Sequence, residues 1–284
     1  MTPSEKRKRL RTILAGPVCH SPATVFDALS ARIAQAVGYE TGLLSGSVCA
    51  ATMLAAPDMA LQTLTEFADQ VRRITRVSDL SVFVDADQGY GNALNVMRTV
   101  EELEHAGLAG LAIEDLVMPA RFGARGDELV SVEEAQGKLR AALAARRDPQ
   151  LVIAARTASL KIEKIGSVVA RVRAYAASGV DAIFLSGLSR LEDLDEIRAA
   201  VKLPIITGST PGIRREDLAA RGVRFCLLGH AAVAATAKAL HDTYVHYLGG
   251  GTAAELKSRI ATPDEMAGYL GAENYAKWRD EFLN

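Results

Sequence analysis

The chain has 284 residues, 49% of them hydrophobic and 24% charged, with 33 basic against 34 acidic side chains. That is globular composition with material for one large core, and a net charge of −1 gives no global field to attract nucleic acid or an anionic membrane. The three scattered cysteines, Cys19, Cys49 and Cys226, fit neither a disulfide framework nor a zinc site. No apolar run reaches the roughly 18 residues of a membrane span and no signal-peptide pattern opens the chain, so a soluble cytoplasmic protein is expected.

The first element is basic, Lys6-Arg7-Lys8-Arg9 with Arg11. Leu10, Ile13 and Leu14 give it an apolar side, so it reads as the solvated face of a helix rather than as a nucleic-acid arm. Beyond it, short apolar runs alternate with longer helical periodicities. Candidate strands are Pro17–His20, Gly42–Ser45, Val82–Asp85, Leu111–Glu114, Leu151–Ala155, Ala182–Leu185, Pro204–Thr207 and Arg224–Leu228. The helical patterns between them cover Thr24–Val37, Leu64–Thr75, Ala93–His105, Val132–Ala145, Ile162–Ala177, Leu191–Val201 and Arg215–Arg221. Such alternation implies parallel strands joined by right-handed crossovers, and eight of them point to one closed (β/α)8 barrel, a fold of about 250 residues. A doubly wound open sheet is the alternative. Its fingerprints fail: Gly89-Tyr-Gly-Asn-Ala-Leu94 lacks the third glycine of a dinucleotide turn, and Gly249–Gly251 carries no GK[ST].

No repeat or low-complexity linker divides residues 1–284, so a single barrel domain is expected, with 249–284 as a helical extension. There, Ala253–Ile260 and Asp264–Tyr269 read as short amphipathic helices, and Trp278 and Phe282 follow. These apolar residues must pack either on their own barrel or on a neighbouring subunit.

The segment Val82-Phe-Val-Asp-Ala-Asp-Gln-Gly-Tyr-Gly-Asn92 carries the strongest chemical signal. An apolar run ends in Asp85 and Asp87, two apart, and a strand turns such residues to the same face. Barrels place their active sites at the carboxyl ends of the strands. Two converging carboxylates suit Mg²⁺, which binds through one or two of them and keeps waters for its substrate. A helix cap and a solvated turn carboxylate form the structural alternative. Other predicted strand ends supply Ser45-Gly46-Ser47, Glu114 with Asp115, Arg156, and Gly229-His230. Gly46 lets backbone N–H groups approach an anion closely. Singly, Arg156 could pair with a neighbouring carboxylate, Glu114 could accept backbone bonds and His230 could cap a helix. On one rim they would face a common cavity.

The order Ser45-Gly46-Ser47, Ala56-Pro-Asp58, Asp85-Ala-Asp-Gln-Gly-Tyr-Gly-Asn92, Ile113-Glu-Asp115 and Ala155-Arg-Thr157 resembles the isocitrate lyase/phosphoenolpyruvate mutase superfamily. The stretches Gly89–Glu101 and Gly229-His230-Ala-Ala232 are most similar to its oxaloacetate decarboxylase branch. The resemblance implies an Mg²⁺-dependent barrel, with Mn²⁺ as a substitute metal, acting on small dicarboxylates or α-keto acids through an enolpyruvate-like intermediate. It also implies a homotetramer, a dimer of dimers whose subunits exchange a carboxyl-terminal helix in pairs. On that resemblance Asp85 is the direct metal ligand, Asp87 and Glu114 act directly or through metal-bound waters, and Asp58 completes the outer shell. Ser45, Gly46 and Ser47 hold the substrate carboxylate. Arg156 forks onto a carboxylate, a geometry lysine cannot reproduce, and His230 contacts the departing carboxylate or the enolate carbon.

Two departures narrow the reaction. Isocitrate-cleaving relatives carry a cysteine acid in a Lys-Lys-Cys-Gly-His type loop, where this chain reads Pro119-Ala-Arg-Phe-Gly-Ala-Arg-Gly126. No asparagine of the mutase type appears between Pro119 and Val130 either, and Arg121 and Arg125 are expected to cover an anionic site as a lid. After the seventh strand the decarboxylase pattern has a tyrosine, where this chain reads Ile206-Thr-Gly-Ser-Thr-Pro211. The expected activity is that of a lyase, Mg²⁺-dependent decarboxylation of oxaloacetate to pyruvate and CO₂ through a metal-stabilised enolate. The rival reaction is C–C cleavage of a substituted malate such as 2,3-dimethylmalate, which needs a base for a substrate hydroxyl; Tyr90 and His230 are the candidates. A non-catalytic dicarboxylate-binding barrel is the rival from another class, and the joint presence of Asp85, Asp87, Glu114 and Arg156 speaks against it.

Overall fold

A computed structural model of the protein describes residues 1–284. Its strands are β1 (Ala23–Thr24), β2 (Thr41–Leu44), β3 (Ser81–Asp85), β4 (Gly110–Glu114), β5 (Val152–Thr157), β6 (Ala182–Leu185), β7 (Ile205–Thr207) and β8 (Val223–Cys226). The helices are α1 (Pro3–Ala15), α2 (Ala28–Val37), α3 (Gly46–Met53), α4 (Leu64–Thr75), α5 (Ala93–His105), α6 (Val132–Ala145), α7 (Ile165–Ala177), α8 (Leu191–Ala200) and α9 (Arg215–Ala220). They are completed by α10 (Ala231–Leu248), α11 (Pro263–Leu270) and α12 (Ala272–Phe282). The eight strands are parallel and ordered β1 to β8, the TIM-barrel-like α/β arrangement that the alternation predicts. The ring closes between β8 and the segment ahead of β1, where His20 N–H donates to the Arg224 carbonyl at 2.8 Å and Cys226 N–H donates to the His20 carbonyl at 2.9 Å.

The first strand departs from expectation. It was expected at Pro17–His20 and lies at Ala23–Thr24, with His20 retaining a single bridge. Pro17 and Pro22 bracket that segment and neither can donate to a ladder. Thr24 therefore belongs to β1, and α2 starts only after Asp27, whose carboxylate accepts the Ser30 N–H at 2.6 Å. Two helices escaped the periodicity: α3, which starts directly after Ser45, and α12, which carries Trp278 and Phe282. The segment expected to be helical over Ala253–Ile260 is only a 3-10 turn, Ala253–Leu256.

Inside the ring an apolar cluster is built from Leu43, Phe83, Ala112, Val152, Ala154, Ala182, Phe184, Ile206 and Phe225, and Leu10 and Leu14 of α1 close it from below. Alternation along the strands then dictates what stands above this plug. The next inward position after Phe83 is Asp85, after Ala112 it is Glu114, after Ala154 it is Arg156, and after Phe184 it is Ser186. A polar layer on an apolar floor is thus a direct consequence of strand periodicity.

The basic run of α1 does not face solvent, contrary to the sequence reading. Lys6 Nζ donates to the carbonyls of Thr75 and Ser78, which end α4 and the turn after it. Arg7 donates through Nε to the Leu108 carbonyl at 3.0 Å and through Nη2 to the Glu104 carbonyl at 2.8 Å, and its Nη1 pairs with Asp148 at 2.8 Å. Arg11 reaches the carbonyls of Gln150 and Leu151 and the carboxylate of Asp181. Helix ends leave carbonyls without partners, and a cation there is favoured by the dipole. The run therefore staples α1 across the bottom of the barrel, and Lys8 alone among these five cations is exposed.

The three carboxyl-terminal helices are packed differently. None of the side chains of α10, α11 or α12 is buried, and Leu240, Tyr244, Val245, Leu248, Trp278 and Phe282 all stand exposed. No helix is long and apolar enough to cross a membrane.

Because Arg7 is 6% exposed and satisfies two carbonyls and a carboxylate, Arg7→Ala is expected to destabilise the fold by about 3–5 kcal/mol. Lys8→Ala should change stability by no more than about 0.5 kcal/mol. Chemical denaturation of the two variants side by side checks this, and equal midpoints would show that α1 is not stapled through Arg7.

Candidate active site

A cavity of about 380 Å³ opens at the carboxyl ends of the strands. Its wall brings together six of the expected residues: Ser45, Ser47, Asp58, Asp85, Arg156 and His230. It also contains Lys161, Ser186 and Ser209, which motif reading missed. Inward parity along β6 would have found Ser186; no local pattern announces Lys161. A larger hollow of about 540 Å³ lies around Lys6, Arg76 and Asp79, and none of the expected site residues lines it.

Ser45 is the N-cap of α3, its Oγ accepting the Val48 N–H at 3.3 Å. Ser45-Gly46-Ser47 is thus the first turn of a helix rather than a free nest, and its outward N–H groups with the helix dipole favour an anion. The two hydroxyls lie 2.9 Å apart, and His230 Nε2 stands 3.1 Å from Ser47 Oγ and 3.4 Å from Ser45 Oγ. His230 immediately precedes α10. Burial lowers its pKa, with Asp85 and Asp58 opposing, so the imidazole is neutral at neutral pH.

The floor of the cavity is charged. Arg156 Nη1 is shared between Asp85 Oδ2 and Glu114 Oε2, the latter at 3.0 Å. Nε donates to Ser186 Oγ at 3.1 Å, and the guanidinium lies 5.2 Å from the centroid of the Phe184 ring. Nη2 has no protein partner. Burial works against the guanidinium charge, but Asp85 and Glu114 more than offset it and hold Arg156 protonated. Burial pushes the Glu114 carboxyl up; Arg156 opposes this, while Asp85, Asp115 and Asp87 add to it. Glu114 sits under the cavity rather than on its wall, beside a void of about 10 Å³. Its neighbour Asp115 points elsewhere. It accepts from Thr157 Oγ1, the Ala158 N–H and Tyr175 OH, and lies 3.5 Å from Arg171, a buried structural hub.

Asp87 reaches this layer by a route the alternation argument does not describe. β3 ends at Asp85, and Asp87 stands in a turn at φ +47°. Its Oδ2 accepts from Gln62 Nε2 at 3.0 Å, and its carboxylate lies so close to Gly46 that a Cβ there would overlap it. Gly46 is thus required by the close approach of this carboxylate. Burial, then Asp85 and Asp58, push the Asp87 carboxyl up. Asp58 is raised in the same direction by burial and Asp85. Tyr90, at φ +60°, is not on the cavity wall: its ring packs 6.2 Å from that of Phe67, and burial keeps the phenol protonated. Arg121 pairs with Glu128 at 3.6 Å, and neither it nor Arg125 lines the cavity.

The donor set fits a divalent cation. Asp85 Oδ1 and Glu114 Oε1 are buried without hydrogen-bond partners, an unfavourable condition that a cation relieves. No three acidic, histidine or cysteine side chains close around an ion by themselves, since Arg156 stands between Asp85 and Glu114. Mg²⁺ needs only one or two carboxylates and keeps its waters.

Comparison with known proteins gives the site a context. The family profile of phosphoenolpyruvate phosphomutase matches residues 12–248. An oxaloacetate decarboxylase of Bradyrhizobium sp. strain BTAi1 is 48% identical over 259 residues, covering 90% of each chain. Phosphoenolpyruvate phosphomutase of Streptomyces platensis subsp. rosaceus superposes with a TM-score of 0.89 at 27% identity, covering 98% of this chain and 99% of that one. A phosphonopyruvate hydrolase solved with oxalate and Mg²⁺ superposes at 0.85 and 27% identity over 100% of both chains.

The geometry around His230 makes a prediction about protonation. Its imidazole, followed by NMR, should titrate below the ordinary histidine value, and Asp58→Asn should lower it further by removing a charge that favours the imidazolium. An unchanged or higher value in Asp58→Asn would place Asp58 out of electrostatic reach.

Proposed function

The chain belongs to the phosphoenolpyruvate mutase/isocitrate lyase superfamily, and from that premise we propose that it is an Mg²⁺-dependent oxaloacetate decarboxylase. The observation that carries this reading is the acidic floor with its orphaned oxygens on Asp85 and Glu114, facing a hydroxyl-lined helix N-terminus. It is supported by the 48% identity to an oxaloacetate decarboxylase.

Decarboxylation breaks the C3–C4 bond of oxaloacetate. The C4 carboxylate leaves as CO₂, its electron pair passes into an enolate, and a proton at C3 completes pyruvate. The principal demand is stabilisation of the enolate oxygen as charge develops. Mg²⁺ bound by Asp85, with Asp87 and Glu114 directly or through water, would supply Lewis-acid stabilisation there. The protein's own groups hold and orient. Ser45, Ser47 and the backbone N–H groups around Gly46 bind the keto-acid carboxylate at the start of α3. Arg156, fixed by Asp85, Glu114 and Ser186, offers its free Nη2 to a substrate oxygen. His230, hydrogen-bonded to Ser47 and with its neutral form favoured by burial, would face the reacting carbon. Asp58 borders the same space, and Tyr90 stands behind the wall next to Asp87. No thiol acid is at hand for isocitrate cleavage: Cys19, Cys49 and Cys226 are buried, and none lines the cavity.

Pyruvate release from oxaloacetate should require Mg²⁺, and Asp85→Ala should reduce it on the order of 10²-fold or more with an unchanged far-UV spectrum. Isocitrate should yield neither glyoxylate nor succinate. Near-parental turnover in Asp85→Ala would remove Asp85 from the metal site. Cleavage of 2,3-dimethylmalate with oxaloacetate inert would replace this reaction by the malate-lyase one.

The carboxyl-terminal helices bear on the assembly. A barrel helix normally covers its strand, yet α10 runs eighteen residues without one buried side chain. Exposed apolar area of this extent marks a protein interface. We propose that a second copy covers it, the subunits exchanging this region in pairs within a homotetramer. Light scattering should give the mass of four chains, and Leu248→Asp should lower it; a monomeric parent would overturn the proposal.

A further inference from the structure

Three nitrogen-bearing side chains that can carry positive charge border the cavity: Arg156, Lys161 and His230. Two are tied to protein groups. Arg156 is engaged by Asp85, Glu114 and Ser186 with only Nη2 left free, and His230 is bonded to Ser47. Lys161 differs, because its ammonium makes no hydrogen bond or ion pair with any protein group. Its backbone is nonetheless fixed. It ends a 3-10 turn, Ser159–Lys161, directly after β5, in which the Lys161 N–H donates to the Ala158 carbonyl at 3.0 Å. The turn is anchored by buried Ser159, whose Oγ lies 2.9 Å from Thr157 Oγ1. The aliphatic stem is laid along the wall over Gly187, where a Cβ would stand 2.5 Å from Lys161 Cγ and 3.1 Å from Cε. Gly187 has φ +82°, a conformation that disfavours any side chain. The backbone is thus shaped to let this lysine stem pass along the cavity.

The charge balance says what the ammonium is for. Asp58 and Asp85 face the cavity, and Arg156 already spends its Nη1 on Asp85 and Glu114, so a substrate bearing two carboxylates meets little uncommitted positive charge apart from Lys161. We propose that Lys161 is the specificity-determining residue that pairs with the carboxylate remote from the keto group. The site thereby takes a four-carbon keto diacid in preference to a keto monoacid. The identity of that diacid rests on the decarboxylase reading above. The carboxylate held by Lys161 leaves as neutral CO₂, so the pair is stronger in the ground state than in the transition state. Such an interaction lowers KM without raising kcat.

The test compares the parent enzyme, Lys161→Met and Lys161→Arg in Mg²⁺ buffer. Two probes are titrated by calorimetry: 3,3-difluorooxaloacetate, which retains the remote carboxylate, and oxalate, which resembles the enolate of pyruvate and has nothing beyond it. Lys161→Met should weaken 3,3-difluorooxaloacetate by about tenfold or more, the loss of one charge-assisted hydrogen bond. Oxalate binding should be unchanged, KM for oxaloacetate should rise by a similar factor with kcat undiminished, and Lys161→Arg should restore most of the loss. Equal weakening of both probes, no weakening of either, or a fall in kcat at constant KM would overturn the proposal. Absence of pyruvate formation by the parent enzyme would instead overturn the decarboxylase reading, while the ratio of the two probes would still decide the role of Lys161.

Discussion

One guanidinium between two carboxylates organises the upper half of this barrel. Arg156 holds Asp85 on β3 and Glu114 on β4 through a single Nη1, and is itself steadied by Ser186 and the Phe184 ring. Burying an unpaired carboxylate is costly, and a buried pair is tolerated only when its geometry and remaining hydrogen bonds are good. Here the pairing is deliberately incomplete. One oxygen of Asp85 and one of Glu114 lack partners, while burial and Asp85 push the nearby carboxyls of Asp87 and Asp58 up. Several carboxyls crowded around one protein cation suit a divalent ion, and Lys161 is the cavity cation left without a protein partner.

The same interaction type holds the opposite end of the molecule, with the signs arranged for stability instead of chemistry. At the bottom, Lys6, Arg7 and Arg11 satisfy carbonyls and carboxylates at the feet of the strands and helices, and Leu10 and Leu14 seal the apolar interior. Each of those cations has protein acceptors. At the top, orphan oxygens, a free Nη2 and a free ammonium remain. Barrels separate stability at the amino-terminal face from function at the carboxyl-terminal face, and here the division shows in which polar groups are left unsatisfied. The carboxyl-terminal helices add a third zone, where apolar groups remain uncovered within one chain.

Legibility in the sequence followed the range of the interactions. Strand ends such as Val82–Asp85 and Ala182–Leu185 were placed closely because apolar runs and inward parity are local properties. The same logic points to Asp85, Glu114, Arg156 and His230, each a polar residue that follows an apolar strand, and the structure gathers three of them on one cavity wall with Glu114 beneath it. Strand alternation also points to Asp87, which instead reaches the layer through a positive-φ turn beyond the end of β3. The segment around His20 looks extended in sequence, but Pro17 and Pro22 break it and move β1 to Ala23–Thr24. The α1 cations look solvated in sequence because acceptors such as Thr75, Leu108 and Asp148 lie 69 to 141 positions away.

By itself the sequence determined the barrel, its strand order and the identity of the polar rim, since period-two alternation and right-handed crossovers leave few other arrangements. Only the tertiary structure decided which polar groups spend their charge on one another and which remain free. Arg156 is occupied by protein carboxylates, Tyr90 is turned into the packing beside Phe67, and Lys161 is laid over Gly187 with its ammonium unpaired. Those outcomes depend on contacts between strands and loops far apart in the chain. Side-chain spacing along one strand carries no information about them, because pairing energy is set by distance in space and by burial, not by position in sequence.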